Sequence, residues 1–257
     1  MDITSLQNSR IKHIVKLRDD KKTRKQDGLM LVEGYDEIQL ALTAGHVPKT
    51  LLSAPELVSR PIGGTFPETF TVNRAVFEKI SYRDNPDGWM GVFPVPHASL
   101  DDLKLSQSPL LIVAESIEKP GNLGAMLRTA DAAGVDALLL CDPRVDTWNP
   151  NVVRASRGAV FSVPVIECDN ASALEWLKKG RIRVLAATPS AELMYSSVDI
   201  REPVAIAVGT EDEGLTDFWM TNADVKVKIP MMGEVNSLNV SVSTALIVYE
   251  AVRQRNA

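Results

Sequence analysis

The stretch LLIVAESIEKPGNLGAMLRTADAAGVDALLLCD, residues 110–142, decides the fold class of this chain. Its two apolar ends, 110–115 and 135–142, have the length and composition of buried strands, and the segment 122–134 between them is typical of a helix. The same alternation continues towards the end of the chain. Short Val/Ile/Leu-rich runs separated by helices predict an α/β domain whose mostly parallel sheet is covered by helices on both faces.

A second, smaller α/β unit is predicted upstream of this domain. Runs with strand character alternate with two short helical segments between residues 28 and 96. Residues 96–109 are rich in Pro, Ser and Asp and have weak periodicity, which is typical of a linker. We therefore expect a basic segment and small α/β domain at 1–95, a linker at 96–109, and the larger domain at 110–257.

Positive charge is concentrated near the N-terminus, although the net charge of the 257 residues is −5. Residues 10–25, RIKHIVKLRDDKKTRK, contain eight Lys or Arg and two Asp. Two interpretations of this window stay open: a solvated, partly disordered basic arm, or an electrostatic contact surface for phosphates. The acidic net charge argues mildly against a nucleic-acid ligand, whereas the local cluster argues for one.

The composition fits a cytoplasmic protein. Hydrophobic residues make up 45% of the chain and charged residues 24%, so a core can form without disulfides or metals. The only cysteines, Cys141 and Cys168, form no CxxC pair, which fits a reducing compartment. The N-terminus lacks the apolar stretch of a signal peptide, and no run of about 18 apolar residues occurs, so we expect no membrane span.

Three segments carry residues that suit binding or catalysis. In the first, EKPGNLGAMLRTADAAG (118–134), Gly121 and Gly124 flank Asn122 where a strand gives way to a helix. Backbone amides at such a turn can meet an anion or a ribose, although glycines there are often only structural. The absence of GxGxxG and GK[ST] patterns disfavours a dinucleotide site or a P-loop. Arg128, in an otherwise apolar helix, requires an anionic partner or a position at the helix edge.

The second segment is AIAVGTEDEGLTDFW (205–219). An apolar strand ends at Gly209, and the acids Glu211, Asp212 and Glu213 follow it. Ligand sites in parallel sheets lie beyond the carboxyl ends of the strands. Because no histidine is near these acids, a solvated loop is favoured over a metal site, and we expect no metal.

The third segment, IPMMGEVNSLNVSVSTALIVYEAV (229–252), combines a broken strand with a final helix that we expect to begin near Ser237. Ser237, Asn239 and Ser241 introduce this helix, and three such residues exceed what helix capping alone requires. The apolar positions at helical spacing are Leu238, Val242, Ala245, Leu246 and Tyr249.

The final helix is also apolar on a second side, which carries Val240, Ile247 and Val248. The sheet can cover only one of the two sides, and an exposed apolar face usually marks an interface. We therefore expect a two-fold homodimer through this helix and the helix of the first segment. The alternative is a monomer in which the N-terminal domain covers the second side.

Taken together, the three segments resemble the signature motifs of the SpoU/TrmH family of RNA ribose methyltransferases, within the SPOUT superfamily. The matching stretches are PGNLGAMLRTA, VGTEDEGL and IPMMGEVNSLNVSVSTALIVYE, and the intervening RASRGAVFSVPV also resembles a family stretch. The N-terminal segment is similar to the substrate-binding domain of larger family members, which resembles a small RNA-binding ribosomal protein. The resemblance implies a trefoil knot in the C-terminal domain and methyl transfer from S-adenosylmethionine to a ribose 2′-hydroxyl in structured RNA.

The resemblance also implies roles for individual residues. The backbone around Gly209, Ile229 and Leu238 would hold S-adenosylmethionine. The catalytic residues would be Arg128, Asn122, Glu211, Ser237 and Asn239.

The role of Arg128 is where the resemblance and physical chemistry diverge. The family's proposal is a proton acceptor, but a guanidinium stays protonated at ordinary pH. We therefore expect Arg128 to anchor an RNA phosphate and to stabilise charge developing on the attacking oxygen, oriented by Asn122 and Asn239. Ribosomal RNA is the expected substrate; transfer RNA, or a catalytically idle RNA-binding protein on the same fold, are the alternatives.

Overall fold

The computed structural model describes residues 2–210 and 212–256, which form two compact units. The first unit runs to His97 and also includes Asp146–Ser162, and the second consists of Ala98–Val145 and the chain from Val163 onward. Each unit has its own sheet. No helix of the described residues is long and apolar enough to cross a membrane.

The first unit contains a five-stranded mixed sheet in the order β1-β4-β3-β5-β2. The pairs β1–β4 and β3–β4 are parallel, and β3–β5 and β2–β5 are antiparallel. Its elements are β1 (Asp2–Ile3), α1 (Ser9–Asp19), α2 (Lys21–Asp27), β2 (Leu29–Glu33), α3 (Tyr35–Thr43), β3 (Thr50–Ser53), β4 (Glu68–Val72), α4 (Arg74–Ile80), β5 (Trp89–Pro94) and, later in the chain, α6 (Pro150–Ala155).

The basic window 10–25 is folded into α1 and α2 and is therefore not a disordered arm. The side chain of Asn8 caps α1 by accepting a hydrogen bond from the Arg10 amide at 2.9 Å. Ile11, Ile14 and Leu17, spaced by three residues, are buried in the core of the unit. The exposed lysines of the window are Lys12, Lys16, Lys21, Lys22 and Lys25.

Arg24 of the same window is buried and holds the segment 146–162 in the first unit. Its guanidinium donates to Asp146 Oδ2 at 2.6 Å and to the Leu17 carbonyl at 2.5 Å. A buried charge requires such a partner, because unpaired burial is costly. The sequence placed 146–162 within the larger domain, whereas its contacts group it with the first unit. Arg24 is thus a structural residue and not part of a phosphate-binding surface.

The second unit contains a seven-stranded sheet in the order β10-β12-β9-β11-β6-β7-β8, and every strand pair in it is parallel. Its elements are β6 (Leu110–Glu115), α5 (Pro120–Ala133), β7 (Ala137–Cys141), β8 (Val165–Cys168), α7 (Asn170–Lys179), β9 (Arg183–Ala187), β10 (Leu193–Met194), β11 (Val204–Val208), α8 (Asp217–Asn222), β12 (Val225–Lys228) and α9 (Val240–Arg255).

Helices cover both faces of this sheet. Every residue of β6, β7 and β11 is buried, which requires cover on both sides. Helices α7 and α8 pack on one face, in a core cluster that includes Leu111, Leu139 and Trp219. Helix α9 packs on β6, β11 and α5. The expected parallel α/β domain is confirmed.

Two boundaries differ from the sequence-based expectation. The linker segment belongs to the second unit, because Leu100, Leu103 and Leu105 pack against its core. Helix α9 begins at Val240 rather than near Ser237, because Asn239 is its N-cap residue. Leu238 therefore precedes the helix instead of belonging to its apolar stripe, and the buried side of α9 carries Val240, Thr244, Ile247, Val248 and Ala251.

Candidate active site

A cavity of about 480 Å³ opens beside the carboxyl ends of β9, β11 and β12. Gly209 directly follows β11, Ile229 directly follows β12, and Leu238 lies just before α9. All three line the cavity. The structure thus brings together, from three separate segments, the residues that the sequence assigned to the cofactor.

A tight turn after β11 forms one wall of the cavity. Thr210 and Gly214 form two backbone hydrogen bonds, of 3.0 and 3.1 Å. A Cβ atom on Gly209 would overlap the backbone of Gly214 and Leu215, and Gly214 itself has a φ of +72°. Both positions therefore require glycine. Glu211, which follows Thr210 in the sequence, falls outside the described residues.

Glu115, at the end of β6, fixes the chain that follows this turn. Its buried carboxylate accepts hydrogen bonds from the Thr216 amide at 2.8 Å, the Thr216 hydroxyl at 2.7 Å and the Asn170 side chain at 2.8 Å. Asn170 in turn accepts a bond from the indole of Trp219 at 2.6 Å. Sequence reasoning assigned no role to Glu115. The signal that could have identified it is an acidic residue at the end of a fully apolar strand.

Asn122 and Asn239 join the first and third motifs. The side-chain amide of Asn239 donates to Asn122 Oδ1 at 3.1 Å. The other end of the Asn239 side chain accepts hydrogen bonds from the amide and hydroxyl of Ser241, at 2.9 and 2.6 Å. Asn239 therefore both caps α9 and contacts the first turn of α5. Ser237, which precedes Asn239 closely in the sequence, lines the large cavity.

Arg128 does not join the two asparagines within one chain. It is exposed on α5, lines neither of the cavities described here, and forms no hydrogen bond or ion pair with residues 2–210 or 212–256. Arg128 follows Asn122 by six positions, so the two side chains leave the helix about 120° apart. The expectation that the asparagines orient Arg128 is therefore not met inside a single chain.

A smaller cavity of about 120 Å³ adjoins the large one. Asn122 lines it, and Thr210 and Val240 line both cavities. Its rim carries the acids Glu118, Asp212 and Glu213 and the bases Lys119 and Arg144. Arg144 and Glu118 form an ion pair of 2.5 Å, which raises the pKa of Arg144, with a smaller contribution from Glu213. Sequence reasoning missed Arg144, since nothing in the local pattern points to this cavity.

Two family models match the chain. The SpoU rRNA Methylase family matches residues 109–249, more than half of the chain, and the MRM3-like substrate binding domain matches residues 8–91. The chain belongs to the SpoU rRNA methylase family.

Some relatives of this SpoU methylase match it over nearly its whole length. It is 28% identical to the Bacillus subtilis protein named 23S rRNA (guanosine(2553)-2′-O)-methyltransferase RlmP, with 96% of this chain and 97% of that protein covered. A solved RNA 2′-O ribose methyltransferase is 41% identical, covers 100% of both chains and has a TM-score of 0.89. An AdoMet-bound rRNA methyltransferase from Sinorhizobium meliloti is 30% identical over 98% of this chain and 97% of that chain, with a TM-score of 0.88.

The large cavity of this SpoU methylase fits S-adenosylmethionine. Leu215, Ile229 and Leu238 give it apolar walls, while Thr188 and Ser237 give it hydroxyl groups. This mixture suits an elongated ligand with an aromatic base at one end and an amino acid at the other. The acids Asp212 and Glu213 also line the cavity, and carboxylates favour a sulfonium cation.

The described residues of the SpoU methylase offer no metal centre. Among residues 2–210 and 212–256, no group of three or more His, Cys, Asp or Glu side chains is arranged to hold a metal ion. Cys141 and Cys168 are free thiols whose sulfur atoms lie 3.9 Å apart on neighbouring strands. The contact with Cys168 and burial raise the pKa of Cys141, so its reactive thiolate is disfavoured.

Proposed function

We propose that this SpoU methylase methylates the 2′-hydroxyl of a ribose in structured ribosomal RNA, with S-adenosylmethionine as the methyl donor. The observation that carries the proposal is the convergence of Gly209, Ile229 and Leu238 on one cavity beside the Asn122–Asn239 pair. Methyl transfer from a bound cofactor to a bound RNA requires a cofactor cavity and a polar site beside it.

The chemistry needs positioning more than it needs covalent catalysis. S-adenosylmethionine, when bound, supplies an electrophilic methyl group. Asn122 and Asn239 would hold and orient the ribose whose 2′-oxygen accepts the methyl group. Arg128 binds an RNA phosphate and stabilises the negative charge that develops on the oxygen. A phosphate oxygen or a water molecule accepts the hydroxyl proton. Glu211 would fix the loop that follows β11, and Ser237 contributes a hydroxyl to the cavity wall.

The full-length match favours ribosomal RNA over transfer RNA. The relative named for 23S rRNA and the rRNA methyltransferase structure align over both units of this chain. The first unit, which matches a substrate binding domain, would contact RNA through the five exposed lysines Lys12, Lys16, Lys21, Lys22 and Lys25. The presence of Asn122, Arg128 and Asn239 argues against an idle RNA-binding protein.

The active form in this proposal is a homodimer. Helix α9 exposes Val242, Leu246 and Tyr249, each between 38% and 48% accessible, although its opposite side is buried. A second copy would cover this face, and α5, which carries Arg128, packs beside it. Pairing through α5 and α9 would place residues of the second copy beside Arg128, which has no hydrogen-bond or ion-pair partner among the described residues of its own chain.

Two further properties belong to the proposal. The chain after β11 would be tied into the trefoil knot of the SPOUT superfamily; the insertion of β11 between β6 and β9, and the return of α9 onto β6 and β11, support this. The protein would act in the cytoplasm, which agrees with two unbridged thiols.

The proposal is tested by methylation itself. The purified protein is incubated with S-adenosylmethionine carrying a labelled methyl group and with total RNA from cells lacking the protein, and ribose methylation is mapped. Label at one 2′-position of ribosomal RNA is expected, and that position should be unmethylated in cells lacking the protein. Label in transfer RNA instead would show that the assignment of ribosomal RNA as the substrate is wrong. Calorimetry that shows no cofactor binding, with or without RNA, would overturn the proposal.

A further inference from the structure

Two loops at the end of the parallel sheet are held side by side. Ser116, after β6, and Asp142, after β7, have φ angles of +52° and +46°, a left-handed conformation that residues other than glycine seldom adopt. Each turns the chain sharply at the carboxyl end of its strand. The amide of Val145 then donates to the Ile117 carbonyl at 3.0 Å and joins the two loops. Backbone strain of this kind is often kept at functional sites.

The joined loops set Glu118 opposite Arg144. Their side chains pair at 2.5 Å, yet 53% of Glu118 and 56% of Arg144 remain accessible. Both line the small cavity that Asn122 also lines. The guanidinium is therefore placed by the fold at the mouth of the proposed ribose site, where it is open to solvent.

The residues around the small cavity include three acids, and Arg144 can offset their repulsion of an RNA backbone. Glu118, Asp212 and Glu213 all line the small cavity, and their carboxylates repel an RNA backbone. A target ribose carries a phosphate on each side; Arg128 is proposed to bind one of them, and the cations that line the small cavity and can bind the other are Lys119 and Arg144. A guanidinium binds phosphate oxygens through two parallel hydrogen bonds. An exposed ion pair contributes little stability, so a phosphate can replace the carboxylate at small cost.

We infer that Arg144 binds a phosphate next to the target ribose, and that Glu118 holds the guanidinium in position until the RNA displaces it. The inference rests on the proposed function and adds a substrate-binding residue outside the three motifs. Exchange of one anion for another requires no covalent step and no proton transfer. The inference also accounts for the two strained turns at Ser116 and Asp142, because they fix the direction in which Arg144 extends.

The test compares Arg144→Ala with the parent protein in methylation assays at several salt concentrations. Loss of a charged hydrogen bond to phosphate should raise the KM for RNA about tenfold. The kcat should change little, and the affinity for S-adenosylmethionine should stay the same. The salt dependence of RNA binding should weaken by about 0.7 to 0.9 in logarithmic slope, the share of one phosphate contact. Arg144→Lys should recover part of the loss.

Arg201→Ala is the matched control. Arg201 also lies in the second unit, is 64% accessible and pairs with Asp199 at 2.7 Å, but it lines neither of the two cavities. This variant should keep the KM and the salt slope of the parent. An equal loss in both variants would mean that Arg144 contributes only general charge and would overturn the inference.

Glu118→Gln tests the second half of the inference. Without its carboxylate the competitor for Arg144 is gone, so the KM for RNA should fall or stay level, and an increase would contradict the displacement step. If Arg144→Ala weakened cofactor binding instead, Arg144 would bind the cofactor's carboxylate and the inference would be wrong. If the parent protein methylates RNA and Arg144→Ala has an unchanged KM for RNA, only the inference about Arg144 is wrong. A parent protein that methylates no RNA defeats the proposed function.

Discussion

The side-chain amide of Asn239 donates a hydrogen bond of 3.1 Å to Asn122, a residue 117 positions earlier in the chain. The bond joins the N-cap of the last helix to the first turn of α5. Because the two residues come from opposite ends of the second unit's sequence, this contact exists only when α9 is in place. The proposed ribose site is thus completed only when α9 packs against α5.

Asn239 has two tasks that a pair of substitutions can separate. Asn239→Asp keeps the oxygen that caps α9 but cannot donate to Asn122, so thermal stability should be retained. Asn122 must then reorient, and methyl transfer should fall on the order of 100-fold, the effect of misplacing a reacting group by about 1 Å. Asn239→Ala should lose activity and also about 1 kcal/mol of stability, because the cap is gone. Thermal melts and single-turnover rates check both; an active Asn239→Asp variant would contradict the role.

Arg128→Ala should reduce methyl transfer by roughly 100-fold or more, the usual effect of removing a group that stabilises developing charge. Cofactor affinity should be nearly unchanged, because Arg128 lies outside the large cavity. Stability should also be unchanged, since the side chain is exposed. The rates and a calorimetric titration with S-adenosylmethionine are the measurements. Turnover equal to that of the parent would show that the catalytic assignment is wrong.

The exposed side of α9 predicts a dimer that one charge can disrupt. Light scattering at micromolar concentration should give twice the 28.1 kDa of one chain. Leu246→Asp would bury an unpaired charge in the interface and should yield monomers. Leu193→Asp is the control, because Leu193 is exposed in the same unit but lies on the edge strand β10. A parent mass that stays at one chain as concentration rises would refute the dimer.

The lysines of α2 test the RNA-binding role of the first unit. Replacing Lys21, Lys22 and Lys25 with alanine should weaken RNA binding and lower its logarithmic salt slope by about 0.7 to 0.9 for each lost phosphate contact. Lys178→Ala with Lys179→Ala, at the exposed end of α7, is the control. Deleting residues 1–25 is not an equivalent experiment, because it would remove the buried Ile11, Ile14 and Leu17 and unfold the unit. Equal slopes in the lysine variant and the parent would show that this surface is only solvated.

Glu250 predicts a specific pH dependence of stability. Two hydrogen bonds from Arg253, of 2.7 and 2.8 Å, and one from Gln254 lower the pKa of Glu250 to about 2. A carboxyl group with a lowered pKa stabilises the fold above its ordinary pKa, and the stabilisation is lost as the pH falls towards 2. Glu250→Gln should therefore be less stable than the parent at pH 7, by about 1 kcal/mol or less because Arg253 is exposed.

The difference between Glu250→Gln and the parent should narrow from pH 5 to pH 3 in urea unfolding experiments. Glu175→Gln, at an exposed position on α7, should match the parent throughout this range. A Glu250→Gln deficit that stays constant with pH would mean that the carboxylate's charge is not what stabilises α9.

The sequence was most informative about the candidate site where backbone geometry dictates the residue. Gly209 could be singled out because a strand ending in glycine marks a turn, and the structure shows that no Cβ fits there. Arg144 could not be found, because its importance comes from a loop that lies beside Glu118 only after β6 and β7 pair. The mutual contact of Asn122 and Asn239 was likewise beyond the sequence, since it depends on α9 returning to α5.

By itself the sequence determined the α/β class of the second unit, because apolar runs of strand length between helical segments can be buried only in a covered parallel sheet. Motif order and identity determined the family. Tertiary structure decided the rest. The window 10–25 folds because Ile11, Ile14 and Leu17 find a sheet to cover, and the segment 146–162 joins the first unit because buried Arg24 needs the carboxylate of Asp146. Local patterns do not encode these partners, because each contact depends on residues far away in the chain.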